Sequence, residues 1–139
     1  MASDTRFIEP QDVETVQFDW GKSKWMSSPA VTGSESFSAG VVVLEPGAAH
    51  ERHVHPDSEE ILYFMTGSGV QTVADEERDV SAGHMVYIPA GVEHSTHNTS
   101  WEPLRFIAVY GPPGPESGLA DMPESTVLPP GVASETDSS

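Results

Sequence analysis

The segment His53-Val54-His55-Pro56-Asp57-Ser58-Glu59-Glu60 brings two imidazoles and a carboxylate into one short run. A further histidine, His94, follows a frame of Gly83, Pro89 and Gly91. Imidazole nitrogens and carboxylate oxygens bind divalent metals, so three imidazoles and one carboxylate form a ligand set for one ion. The chain has no cysteine, which argues against a thiolate zinc site or an iron–sulfur site.

Strand geometry explains the spacing of these residues. Side chains alternate between the two faces of a strand, so His53 and His55 are predicted to project from the same face. The turn-forming residues 56–58 let the chain reverse, and Glu60 can then return to the metal from a neighbouring strand. His94 needs further turns to reach the same point. Any one of these histidines alone is more often a surface residue, but together His53, His55, Glu60 and His94 predict a site for one divalent Fe, Mn, Ni, Cu or Zn ion.

At these residues the sequence resembles the cupin superfamily. The first cupin motif, Gly-x5-His-x-His-x4-Glu-x6-Gly, is matched by Gly47, His53, His55, Glu60 and Gly67, and the second, Gly-x5-Pro-x-Gly-x2-His-x3-Asn, by Gly83, Pro89, Gly91, His94 and Asn98. The resemblance covers about residues 38–110. It implies an all-β fold, a single small antiparallel β-barrel of the jelly-roll type with the metal bound inside. Cupins include dioxygenases, decarboxylases, isomerases, lyases, seed storage proteins and sugar-sensing domains, so the resemblance leaves the reaction open.

Length and composition agree with one small domain. A chain of 139 residues can bury one core, and 12 glycines with 12 prolines suit short strands joined by many turns. No apolar stretch approaches the length of a membrane span, and residues 1–6 lack the basic and apolar regions of a signal peptide. We therefore expect a soluble cytoplasmic protein.

The charge of the chain is strongly negative. Asp and Glu number 22 against 6 for Lys and Arg, which gives a formal net charge of −16. Such a surface repels nucleic acid and anionic membranes, so neither is expected as a partner. Scarce lysine together with abundant acid favours adaptation to high internal salt, which would screen the self-repulsion. The alternative is an ordinary acidic protein.

The chain divides by character into three parts. Residues 1–37 are predicted to be an N-terminal arm with a tentative strand over 13–18, and residues 38–111 to be the barrel. Strands are predicted over 37–44, 61–65, 70–74, 85–88 and 104–110, with 61–65 and 70–74 joined as a hairpin through Gly67-Ser68-Gly69. Residues 112–139 form a Pro-rich acidic tail, part of which is expected to lie across the barrel, with residues 132–139 disordered.

The alternation of side chains along a strand also predicts which other residues near the site face it. His97 lies three positions from His94 and should face away from it, and surface placement is expected for His50 and His84. Leu62 and Phe64 share the parity of Glu60 and should line an apolar cavity with it. Arg52 and Arg105 are candidates to hold a substrate carboxylate, although the parity of Arg52 is opposite to that of His53.

Three function classes remain open from the sequence. The metal could serve an enzyme acting on a small organic acid, phenol or sugar, a non-catalytic site that binds a small molecule, or only the stability of the barrel. A homodimer is also expected, because apolar strands such as 41–44 and 61–65 carry apolar side chains on both faces. Trp20 and Trp25 are expected to pack against the barrel or a second subunit rather than to bind a ligand, and they could anchor such an interface.

Overall fold

The computed structural model describes residues 5–133, and its regular structure is almost entirely antiparallel β-strand. After a short 3-10 helix at Pro10–Asp12, the elements in chain order are β1 (Thr15–Phe18), β2 (Gly21–Ser27), β3 (Ser38–Leu44), β4 (Ala49–His53), β5 (Glu59–Thr66), β6 (Ser68–Val73), β7 (Glu76–Ser81), β8 (Met85–Ile88), β9 (His94–His97), β10 (Leu104–Gly111), α1 (Pro115–Ala120) and β11 (Thr126–Leu128). The all-β expectation is confirmed. Within the described residues, no helix has the length and apolar character needed to cross a membrane.

The strands form two antiparallel sheets, which is consistent with a jelly roll. One has seven strands in the order β11-β1-β2-β3-β10-β5-β8, and the other has four in the order β4-β9-β6-β7. Alternate side chains of β3, β5 and β10 are buried, as the period of two requires. These side chains form the hydrophobic core together with Val80 of the four-stranded sheet, so the core joins the two sheets.

The predicted hairpin between residues 61–65 and 70–74 is wrong. β5 pairs with β10 and β8 in one sheet, whereas β6 pairs with β7 and β9 in the other. Gly67 lies between them at a φ of 89°, and a Cβ there would sit 2.5 Å from the Pro103 carbonyl oxygen. The glycines that suggested a hairpin turn instead let the chain pass from one sheet to the other beside another backbone segment.

The first and last strands of the described residues, β1 and β11, lie side by side in the seven-stranded sheet. The tentative N-terminal strand is confirmed as β1, which pairs with β2 on one side and with the edge strand β11 on the other. Leu119 of α1 and Leu128 of β11 are buried, so the earlier part of the Pro-rich segment does pack on the core. The division into arm, barrel and tail stays a prediction. The expected disorder of 132–139 falls mostly on residues 134–139, which lie outside the described residues.

Both tryptophans of the N-terminal region pack against their own chain. Trp25 is buried and stacks on Tyr110 of β10 with ring centroids 5.2 Å apart. Gly40 makes room for it, because a Cβ at Gly40 would lie 2.5 Å from the indole. Trp20 stacks on Phe18 at 4.4 Å. The reading of these tryptophans as packing residues is therefore confirmed, and the buried Trp25 cannot anchor a second subunit.

Candidate metal centre

The four predicted ligands converge between the two sheets. His53 ends β4, His94 begins β9, and the two are direct partners in the four-stranded sheet. Glu60 comes from β5 of the seven-stranded sheet, and His55 lies in the loop just after β4. One ligand atom from each of the four residues lies within 4.8 Å of all the others. The structure therefore brings all four together, although their binding of a metal stays a prediction.

The facing atoms of this group have no hydrogen-bond partners. Glu60 Oε1 is 3.0 Å from His94 Nε2 and 3.7 Å from His55 Nε2, yet none of these three buried atoms makes a hydrogen bond. Leaving a buried polar atom unpaired costs free energy, so native structures rarely do it without reason. A divalent cation between the nitrogens and the carboxylate would satisfy all three atoms. The residues present therefore fit a metal ion.

The backbone fixes the orientation of two of the imidazoles. His53 Nδ1 donates to the Glu51 carbonyl oxygen at 2.6 Å, and His94 Nδ1 donates to the Val92 carbonyl oxygen at 2.9 Å. Since a carbonyl can only accept, the proton sits on Nδ1, and the neutral ring leaves a lone pair on Nε2. In both rings the nitrogen that stays free is thus the one that a metal would use.

Burial keeps the imidazoles of His53 and His55 neutral. It lowers the pKa of His53 to about 2, with the neighbouring His50 and His94 adding to the effect. Burial also lowers the pKa of His55, against the opposing effect of the Glu60 charge. Neutral imidazole is the form that binds metals, so protons compete little for these nitrogens at neutral pH.

His50 joins the site, contrary to the surface position expected for it. Its ring stacks on His53 at 3.9 Å and on Trp20 at 4.6 Å, and burial lowers its pKa to about 4. The cause is a bulge in β4: His50 pairs with Thr96 and His53 with His94, so three steps on β4 match two on β9. A bulge of this kind shifts the facing of the side chains by one residue, which simple alternation does not anticipate.

The cavity beside the ligands is small and mostly apolar. Its volume is about 20 Å³, room for about one water-sized group. Leu62 lines it with Glu60, as expected, and Phe64 is buried on the same face of β5. The lining consists of Trp20, Ser23, Trp25, Val42, His50, His53, Glu60, Leu62, His94, Thr96, Phe106, Ala108, Tyr110 and Leu119. Among the described residues, then, no Lys or Arg borders this cavity.

The arginines proposed as substrate contacts lie elsewhere. Arg52 is exposed, lies 3.4 Å from Glu93 and donates to the Ala74 carbonyl oxygen, as its opposite parity to His53 suggested. Arg105 is exposed on β10, where the neighbouring positions of opposite parity are buried. His84 and His97 are exposed as well, which agrees with their predicted positions outside the site. Neither Arg52 nor Arg105 therefore borders the cavity beside the four ligands.

Two polar residues of the cavity, Ser23 and Tyr110, are not predicted by the sequence to lie at the site. Ser23 of β2 is almost fully buried, and its hydroxyl oxygen has no partner. Tyr110 of β10 is the direct strand partner of Glu60, and its ring meets the edge of His55 at 5.0 Å. The only signal for either residue in the sequence was its parity within a strand, and the partner strands could not be assigned from local sequence.

Comparison with known proteins agrees with this architecture. Residues 40–110 match the Cupin domain family, and the chain belongs to that family. It is 28% identical over 110 residues to the oxalate decarboxylase OxdC of Bacillus subtilis, covering 76% of this chain but only 28% of the decarboxylase. It is 30% identical over 117 residues to the tetracenomycin polyketide synthase protein TcmJ of Streptomyces glaucescens, covering 81% of this chain and 78% of that protein.

Solved structures give the same picture of the fold. A structure of the Bacillus subtilis oxalate decarboxylase superposes with a TM-score of 0.62 at 28% identity, over 68% of this chain and 26% of that one. A predicted oxalate decarboxylase from Thermotoga maritima superposes with a TM-score of 0.67 at 21% identity, over 78% and 100%. The second likeness shows the fold alone. The Bacillus enzyme has Mn(II) centres, so a metal site occurs in a relative of this chain.

Proposed function

We propose that this chain is a metal-dependent enzyme acting on a small organic molecule, with one divalent Fe, Mn, Ni, Cu or Zn ion held by His53, His55, Glu60 and His94. The observation that carries the proposal is the convergence of four ligand atoms within 4.8 Å of one another, three of them buried without hydrogen bonds. Such an ion supplies Lewis-acid or redox chemistry when bound. The protein holds the imidazoles of His53 and His55 neutral, and backbone carbonyls orient those of His53 and His94. Apolar side chains make up much of the surrounding cavity.

The lining of the cavity narrows the substrate class. No Lys or Arg of residues 5–133 borders the cavity, and the net charge of the chain is −16. Within that part of the chain, only the ion itself would balance a dianion at the site. A phenol or enol, which reaches the metal through oxygen and carries at most one charge, fits better than a dicarboxylate. The match to TcmJ, a tetracenomycin polyketide synthase protein, spans most of both chains and supports a polyketide-related compound as substrate. A small acid or a sugar is the less favoured substrate.

Two other functions use the same residues. In the first, the pocket binds a small molecule without turning it over. In the second, the metal only stabilises the fold. The cavity volume of about 20 Å³ favours this structural role, because it leaves no room for a substrate unless lining side chains such as Trp20 and His50 move. A coordination position open to small ligands separates the structural role from the other two, and turnover separates the enzyme from the binding protein.

Metal analysis and a substrate screen test the proposed function. Protein purified without an affinity tag would be analysed for bound metal, then incubated with phenols, enolic polyketide-like compounds, oxo-acids and sugars, with and without dioxygen. We expect metal-dependent turnover of a phenolic or enolic compound, abolished by a chelator and restored by the metal. Binding of such compounds without product would favour the non-catalytic site. A loaded metal that no small ligand perturbs would reject both.

We also propose a homodimer, formed through the exposed apolar side chains of β5 and β8. β8 is an edge strand, and Met85 and Tyr87 are 63% and 55% exposed on it, beside the outward side chains of Ile61, Tyr63 and Met65. An exposed apolar strip at a sheet edge is a typical association surface. Expectations of a cytoplasmic location and of no nucleic-acid or membrane partner stay predictions.

Light scattering tests the dimer. At micromolar concentration the native protein should have twice the chain mass of 14.9 kDa. Met85→Lys should shift the mass toward that of the monomer, because it places a charge at the proposed interface. Val127→Lys adds the same charge at the opposite edge of the same sheet, on β11, and should leave the dimer intact. A native protein that scatters as a monomer would reject the proposal.

A further inference from the structure

We propose that Tyr110 is a positioning residue of the metal centre: its hydroxyl donates to the Glu60 carboxylate and holds that carboxylate toward the three histidines. The proposal rests on the proposed function, since it concerns the same ligands. Among the described His, Asp and Glu residues, the converging group consists of the three histidines and Glu60, and we assign Tyr110 a place beside these ligands. Its role is to act through one of them.

Strand register places Tyr110 beside Glu60. The two residues are direct partners in the antiparallel pair of β10 and β5, and both side chains are buried on the inner face. Directly opposite residues on one face have Cβ atoms about 4.5–5.5 Å apart, close enough for their side chains to interact. The Tyr110 ring is also held on both sides, by the stacked indole of Trp25 at 5.2 Å and by the edge of His55 at 5.0 Å. Its hydroxyl therefore has little freedom to turn elsewhere.

The hydroxyl lies near two buried carboxylates but has one proton to donate. Burial is the main reason why the pKa of Tyr110 lies well above its usual value. The charges of Glu60 and Glu116 and a hydrogen bond with Glu60 raise this pKa further. Glu116 already accepts from the Ser38 hydroxyl at 2.6 Å and from the Gly114 amide at 2.9 Å. Glu60 Oε1 faces His94 and has no hydrogen bond, which leaves the other carboxylate oxygen to accept from Tyr110. The phenol proton thus belongs to Glu60.

A donor on a metal-binding carboxylate orients it and limits how it can coordinate. Replacing a residue that hydrogen-bonds to a metal ligand typically lowers metal affinity about tenfold to a hundredfold. The phenol of Tyr110 carries no charge when it donates its proton in a hydrogen bond. It can therefore hold Glu60 without changing the charge of the site.

The test uses Co(II) as a probe, because its affinity and its visible spectrum both report on the ligands. Tyr110→Phe keeps the ring between Trp25 and His55 but removes the hydroxyl, and we expect it to bind Co(II) about tenfold to a hundredfold more weakly with an altered spectrum. Tyr63→Phe is the matched control, because Tyr63 lies on the outer face of the same strand as Glu60. It should bind Co(II) like the native chain.

A double-mutant cycle separates positioning from packing. In a Glu60→Gln background the added Tyr110→Phe change should weaken Co(II) binding little further, because the carboxylate it would orient is gone. Native affinity and spectrum in Tyr110→Phe would overturn the proposal, as would an equal loss in both backgrounds or a loss accounted for by unfolding of the metal-free variant. Failure of the native protein to bind Co(II), Mn(II) or Zn(II) would instead reject the metal centre itself.

Discussion

Replacing His94 by alanine is expected to reduce the metal content of the purified protein from about one ion per chain to nearly none. His94 is buried, its Nε2 faces Glu60 Oε1 at 3.0 Å, and its Nδ1 is already committed to the Val92 carbonyl. Loss of a residue that only hydrogen-bonds to a ligand can lower metal affinity roughly a hundredfold. Loss of a ligand itself should lower it at least as much. His55→Ala should act in the same direction. Elemental analysis of untagged protein measures both.

The control for this experiment lies on the same strand. His97→Ala removes a histidine of β9 that is exposed, so its metal content should equal that of the native protein. A chelator should lower the unfolding midpoint of the native protein and of His97→Ala but not that of His94→Ala, because only a metal that binds the folded state stabilises it. Full metal content in both His55→Ala and His94→Ala would refute the assignment of the ligands.

The unfolding midpoint should rise with salt, by about 5–10 °C between 0.01 M and 1 M sodium chloride, or roughly 1–2 kcal/mol for a chain of this size. The formal net charge of −16 is spread over 139 residues, so exposed carboxylates repel one another in the folded state. Over that range the screening length falls from about 30 Å to about 3 Å, which removes most of this repulsion. Thermal unfolding followed by circular dichroism is the measurement.

Two neighbouring glutamates of β7 provide a matched comparison. Glu77→Gln removes a charge that lines a surface groove with Glu51, so it should raise the midpoint at low salt and lessen the salt dependence. Glu76→Gln makes the same change beside Arg78, whose guanidinium lies 3.5 Å away, and should give no such gain. A native midpoint that stays flat or falls with added chloride would count against adaptation to high salt.

The sequence predicted the parts of the site that depend on spacing within the motifs. His53, His55, Glu60 and His94 converge as expected, and Leu62 and Phe64 lie on the inner face of β5 with Glu60. These results follow from strand alternation and from the turn-forming residues between the ligands. Both are local properties that a sequence carries directly.

The failures have a common physical cause, which is pairing between distant strands. The Gly67-Ser68-Gly69 segment reads as a hairpin turn, but β5 finds its partners in β10 and β8. His50 enters the site because β4 is bulged against β9, a feature set by how two strands fit together. The sequence predicts Tyr110 only as a residue of an apolar strand, because its strand partner Glu60 lies 50 positions away in the chain.

The division of the ligands between the two sheets has a mechanical consequence. His53 and His94 belong to the four-stranded sheet, and Glu60 belongs to the seven-stranded sheet. An ion bound by all three residues would therefore link the two sheets. Without it, the four-stranded sheet would be free to open as a cooperative unit before the larger sheet unfolds. Amide exchange in β4 and β9 would then quicken on chelation, while β3 and β10 exchange as slowly as before.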